Sequence, residues 1–117
     1  MKLKECYEAM NGNYEDVMAR LPKEASIIKY LRRFKDSAEF LQLEQAMEKE
    51  DYEQVFEISH DLKGVTANLS ITGLQMLVSD ICEQTRNKLP DESFGNLVKK
   101  AKVEYARVVE AIEQLED

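Results

Sequence analysis

The sequence predicts an all-α protein, an antiparallel four-helix bundle with an additional short N-terminal helical segment. Three observations carry this. Apolar residues recur at three- and four-residue steps along most of the chain, the spacing that lines one face of a helix. Only four Gly and two Pro interrupt 117 residues, and no stretch alternates apolar and polar residues as a half-buried strand would. The segments between periodic stretches are short and carry capping residues, which makes consecutive helices antiparallel neighbours.

From Lys2 to Leu21 the pattern is two short helices, with Leu3, Tyr7, Met10, Val17 and Leu21 on their apolar sides. They are separated at Asn11-Gly12-Asn13, because Asn and Gly tolerate the turn conformations that end a helix. After Pro22 a stripe of Ile27, Leu31, Phe34, Ala38 and Leu41 predicts one long helix ending near Glu50. Asp51, with Gln54 three positions on, is a suitable N-cap for a second long helix. That helix is expected to bury Val55, Ile58, Leu62, Val65 and Leu69 and to end near Asn68. Ser70 and Thr72 offer capping oxygens for a third helix, with Leu74, Leu77, Val78 and Ile81 inward and a stop before Leu89-Pro90. Asp91 then caps a fourth, whose stripe is Phe94, Leu97, Ala101, Tyr105, Val108, Ile112 and Leu115.

With 44% hydrophobic and 33% charged residues and neither repeat nor linker, residues 1–117 are expected to form a single domain. The formal charge of −7 argues against nucleic acid, which needs clustered Lys and Arg to displace counterions. The uncharged run Val65 to Ser79 is interrupted by polar residues and falls short of the roughly 20 apolar residues of a membrane span. Cys6 and Cys82, without a signal stretch before them, read as reduced thiols of a cytoplasmic protein. A monomer is expected.

His60 is the only histidine. At about 100° per residue it lies roughly 180° from the mean direction of the expected stripe on the second long helix, so it faces solvent. Gly64 follows one turn later on the same face. A glycine in mid-helix costs about 1 kcal/mol relative to Ala, which a merely solvated surface has no reason to retain, so a close approach is indicated there. Lys63 places an ammonium one turn from the imidazole, Ala67 extends the low relief, and Phe56 adds an aromatic ring. Glu57 is the one Glu-x-x-His partner, and no second such pair exists to build a di-metal site. No glycine-rich phosphate loop is present, so autonomous kinase chemistry is not supported.

The run His60-Asp61-Leu62-Lys63-Gly64, followed by Ala67-Asn68-Leu69, resembles the active-site helix signature of histidine-containing phosphotransfer (HPt) domains. The order of elements resembles that family over essentially the whole chain. The resemblance implies a phosphorelay intermediate of two-component signalling. His60 would be the phospho-acceptor nucleophile, attacking through Nε2 a phosphoryl group on a receiver aspartate. Lys63 would offset phosphoryl charge and Gly64 would give the partner clearance. The implied partners are response-regulator receiver domains and a sensor or hybrid histidine kinase. No cofactor is implied here, since a divalent metal is expected in the receiver. Two positions depart from the family pattern. A Gly often found near Ser70 comes later, at Gly73, and Cys82 stands where some members have a glutamine beside the histidine. The competing reading is a helical adaptor that binds partners through the same patch without chemistry.

A second apolar stripe, Phe40, Leu43 and Met47, points roughly opposite Ile27, Leu31 and Phe34 on a continuous helix. Two readings stand. Either the N-terminal segment folds over it, or Phe40 and Leu43 join Phe56 and Ala67 at the edge of a receiver-docking patch beside His60.

Overall fold

The computed structural model describes residues 1–116. Among these residues the chain forms seven α-helices and no strand: α1 (Leu3–Ala9), α2 (Tyr14–Arg20), α3 (Glu24–Asp36), α4 (Glu39–Glu48), α5 (Tyr52–Asn68), α6 (Thr72–Gln84) and α7 (Phe94–Glu113). In the bundle, α5 packs between α4 and α6, and α6 packs on α7; α3 and α1 close over α7. Among the described residues no helix is long and apolar enough to cross a membrane.

The single long helix expected from Pro22 to Glu50 is instead two. At Ser37 the backbone turns extended, with φ −69° and ψ 140°, and the Ser37 hydroxyl accepts a hydrogen bond from the Glu39 amide at 3.1 Å. Such a local side-chain bond competes with helix continuation and opens the next helix. The break resets the phase of the apolar stripe. Ile27, Leu31 and Phe34 stay buried, Ala38 and Leu41 turn to solvent, and Phe40, Leu43, Ala46 and Met47 enter the core. Phe40 is 1% exposed. Its ring stacks on Tyr105 of α7, with centroids 3.9 Å apart and planes 4° from parallel. Phe40 and Leu43 therefore do not edge a surface patch, and that expectation is corrected.

The α4–α5 link is as tight as expected. Glu50 takes a left-handed φ of 55°, its amide donates to Met47, and the Asp51 amide donates to Ala46, closing the last turn of α4 in a Schellman motif. The Asp51 side chain accepts from the Gln54 amide at 3.3 Å, as an N-cap does. At the far end of α5 the same motif recurs with Ser70 at φ 56°. Ser70 thus occupies a left-handed position where Gly is the usual choice.

Ser70 does not cap α6, as its sequence position had indicated. Its hydroxyl donates to Asp16 at 2.7 Å and accepts from Arg20 at 2.6 Å. Arg20 also reaches the carbonyls of Ala67 and Asn68, and buried Tyr7 donates to the carbonyl of Leu69 at 2.7 Å. The N-terminal segment is thereby pinned across the α5–α6 turn. Gly12 permits this approach, since a Cβ there would lie 2.7 Å from the Tyr7 ring and 2.9 Å from the Ser70 carbonyl oxygen.

The buried stripe of α5 also differs from expectation. Ser59 and Thr66 are buried, together with Val55, Leu62 and Leu69, whereas Ile58 lies on the rim and Val65 is 38% exposed. The two hydroxyls donate within their own helix, Ser59 to Phe56 at 3.1 Å and Thr66 to Leu62 at 2.8 Å. These bonds offset much of the cost of burying the two hydroxyls.

Candidate functional site

The outer face of α5 carries the residues singled out from the sequence. His60 and Gly64 are exposed, while Phe56, Lys63 and Ala67 are half-buried. Measured from the stripe that is actually buried, His60 stands roughly 140° away and Gly64 roughly 180°. The rotation leaves His60 on the outer face but inclines it towards α6, and it gives the centre of that face to Gly64. A Cβ built on Gly64 meets nothing within 4 Å. The helix is therefore bare beside the imidazole.

Phe56, one turn before His60, sets its ring 5.9 Å from the imidazole, centroid to centroid, at an interplanar angle of 44°. The opposite neighbour of Phe56 is Arg86, whose guanidinium carbon lies 5.0 Å from the ring centroid. Arg86 in turn donates to the Glu83 carboxylate at 3.1 Å. That carboxyl is held below its ordinary range by the hydrogen bond from Arg86 and by Arg86's charge, with Lys63 and Lys88 adding to the effect. Three cations, Arg86, Lys63 and Lys88, therefore act on Glu83, although the whole chain carries −7. On the α4 side the sign reverses. Glu39 has its carboxyl pushed up by burial and then by the nearby charge of Asp61.

Two grooves flank this face. One, of about 450 Å³, runs past Phe56 towards Tyr52, Thr85 and Leu89. The other, of about 390 Å³, meets α5 at Val65 and extends to Leu21, Tyr30 and Phe34.

Cys82 is fully buried as a free thiol and does not share the surface with His60. Just past the end of α6, Arg86 does emerge beside Phe56, a place the sequence analysis does not assign to it. No local pattern marks it, since its place beside Phe56 depends on how α6 packs against α5. Among the described residues no hydrogen bond holds the His60 ring, and no three or more His, Cys, Asp or Glu side chains are grouped to hold a metal ion. The arrangement presents a single nucleophilic nitrogen base to solvent, next to cations and an open backbone surface.

A family model described as Hpt domain matches residues 29–117, leaving α1 and α2 outside the matched region. No curated protein and no solved structure matches the chain.

Proposed function

Because the chain belongs to the Hpt domain family, whose members are phosphocarriers of two-component signalling, we propose that His60 accepts and returns the phosphoryl group. The observation that carries this reading is the sole histidine, exposed on the outer face of α5 between Lys63 and the bare surface at Gly64.

In its neutral form the imidazole offers an Nε2 lone pair to the phosphorus of a receiver aspartyl phosphate. The N–P bond forms as the aspartyl P–O bond breaks, and the aspartate leaves as carboxylate. Among the described residues nothing holds the ring's remaining N–H, so its proton is free to pass to solvent. Lys63 offsets charge on the phosphoryl oxygens. Gly64 and Ala67 let the receiver's loops approach the helix, and Phe56 gives them an apolar footing. Phosphoryl transfer depends mainly on positioning and charge neutralisation. The receiver's own metal pocket therefore serves the step, and this chain acts without kinase activity. The sources of phosphate are a receiver domain and, upstream of it, a histidine kinase.

The test is incubation with a phosphorylated receiver, followed by a search for acid-labile label on the chain. The expected result is one phosphohistidine, absent from His60→Gln, with the melting temperature of the variant unchanged because the site is exposed. Label persisting in His60→Gln would refute the assignment. Receiver binding without label on the unaltered chain would leave a helical adaptor instead.

A further inference from the structure

The outward face of α6 and α7 carries apolar groups and charges that phosphoryl transfer does not use. Met76 and Val103 are 64% and 62% exposed, more than any other large apolar side chain within a helix of the described residues. Gly73 sets the register of the two helices, since a Cβ there would lie 2.7 Å from the Glu104 carboxylate. Met76, three residues on, therefore stands close to the height of Val103. A groove of about 410 Å³ beside them is lined by Leu77, Lys99, Lys100, Val103 and Glu104, and it continues past Leu77 and Lys100 to Asp80 and Glu83. Glu104 adds no open acceptor to this surface. Its carboxylate already accepts from Asn11 at 3.0 Å and from Arg107 at 2.8 Å.

The charges here sort by helix. α6 contains Asp80 and Glu83 and no Lys or Arg, whereas α7 from Phe94 to Val109 contains Lys99, Lys100, Lys102 and Arg107 against the single acid Glu104. Among the described residues no ion pair holds Lys99, Lys100 or Asp80. A two-fold axis perpendicular to such a face turns α6 of one copy onto α7 of the other. Acid then meets base twice, and the apolar strip of Met76, Leu77 and Val103 meets its own copy. We propose that this face is the contact of a symmetric dimer, its occupant a second copy of this chain. A membrane of anionic lipid or a uniformly acidic partner fits less well, because either sets like charge against Asp80 and Glu83. The net charge of −7 on each copy opposes approach from a distance, but salt at physiological strength confines that repulsion to about 8 Å. The contact is therefore weak, and the monomer expected from the sequence holds in dilute solution. α6 lies between this groove and α5, so the association does not depend on His60.

The experiment is sedimentation equilibrium on the full chain, from micromolar protein up to about 1 mM, the range in which a small interface is populated. The expected result is a monomer–dimer equilibrium with a midpoint on the order of 0.1 mM. Asp80→Lys alone sets base against base, and the pair Lys99→Glu with Lys100→Glu sets acid against acid. Each should weaken association about tenfold or more, because every reversal acts twice in a symmetric contact. An equimolar mixture of the two variants should associate again as a heterodimer, since each reversed helix then faces its opposite sign. Val103→Asp should weaken association in the unaltered charge background. All four side chains are exposed, so thermal melts of the variants should stay close to the parent's. A parent chain that remains monomeric over the whole range would overturn the proposal and leave this face to a different protein. Dimers that ignore the charge reversals would overturn the choice of face, and weakened variants that fail to rescue each other on mixing would overturn the two-fold arrangement.

Discussion

The substitution Gly64→Ala separates the demands of the fold from those of transfer. Gly64 lies inside α5, one turn before its C-terminal end, and its φ is not in the left-handed region. A Cβ there has nothing within 4 Å, so the added methyl group meets no steric cost in the free protein. It also removes the entropic penalty of glycine in a helix, about 0.8–1 kcal/mol. For a chain of this length that gain corresponds to a rise in Tm of roughly 4 °C. Towards a docked receiver the same methyl is an intrusion on the barest part of the face, one turn from the imidazole, and tightly packed interfaces lose about 1–3 kcal/mol to such overpacking. Phosphoryl transfer from a receiver should therefore slow by about tenfold or more, since 1.4 kcal/mol is one factor of ten. Gly95 provides the control. It is likewise open to solvent, in the first turn of α7, and Gly95→Ala should leave transfer unaltered. Thermal melts and single-turnover transfer on both variants decide the matter. A stabilised Gly64→Ala that transfers at the normal rate would refute the clearance role. A destabilised one would refute the reading of that face as open.

Phe40→Ala tests the corrected place of Phe40. Loss of a fully buried ring stacked on Tyr105 should cost about 3–5 kcal/mol. Tm should fall accordingly, with phosphoryl uptake retained at temperatures where the variant is folded; full stability combined with lost receiver affinity would restore Phe40 to the surface. Glu39→Gln tests the acidic side of the site. Burial, and then the charge of Asp61, raise the Glu39 carboxyl, and an acid raised in the folded state favours folding below its unfolded titration and loses that contribution as pH rises through its folded value. The variant should therefore melt higher than the parent at neutral pH, by a few degrees at most, with the difference vanishing as pH falls into the ordinary carboxylate range. A difference that grows on acidification would contradict the sign.

The parts of this molecule legible in its sequence are those governed by a single element. The Asp51 cap, the turn at Asn11–Asn13 and the outward direction of His60 follow from local chemistry and helical geometry alone. The break at Ser37 was harder, because no Pro or Gly marks it. Its trace was the antiphase between Ile27, Leu31, Phe34 and Phe40, Leu43, Met47, which a continuous helix cannot bury on one side. A phase reset resolves that conflict without any second surface. Ser59 and Thr66 were passed over because a hydroxyl reads as polar until its bond to the helix's own carbonyls is seen. The left-handed turn positions fell on Asn11, Glu50, Ser70 and Asn87 and on no glycine, so glycine content alone did not locate them. Arg86 was invisible for a different reason, since its place beside Phe56 depends on how α6 registers against α5, which no local pattern encodes.

The helix that carries His60 also depends on residues outside the matched family region. The last carbonyls of any α-helix lack partners within it, and a basic side chain in the last turn commonly answers both that need and the negative end of the dipole. The last turn of α5 contains no basic residue. Arg20 supplies the missing charge from α2, bonding to the Ala67 and Asn68 carbonyls, while Tyr7 of α1 covers the Leu69 carbonyl. Asp16 holds both Arg20 and Ser70, and those two bonds keep its carboxyl below the usual range. This clamp lies at the C-terminal end of α5, away from Phe56 and the cations around Glu83. The α5 axis is thus anchored from α1 and α2, and its outer face is left free to be small at Gly64, charged at Lys63 and exposed at His60 without being asked to hold the helix in place.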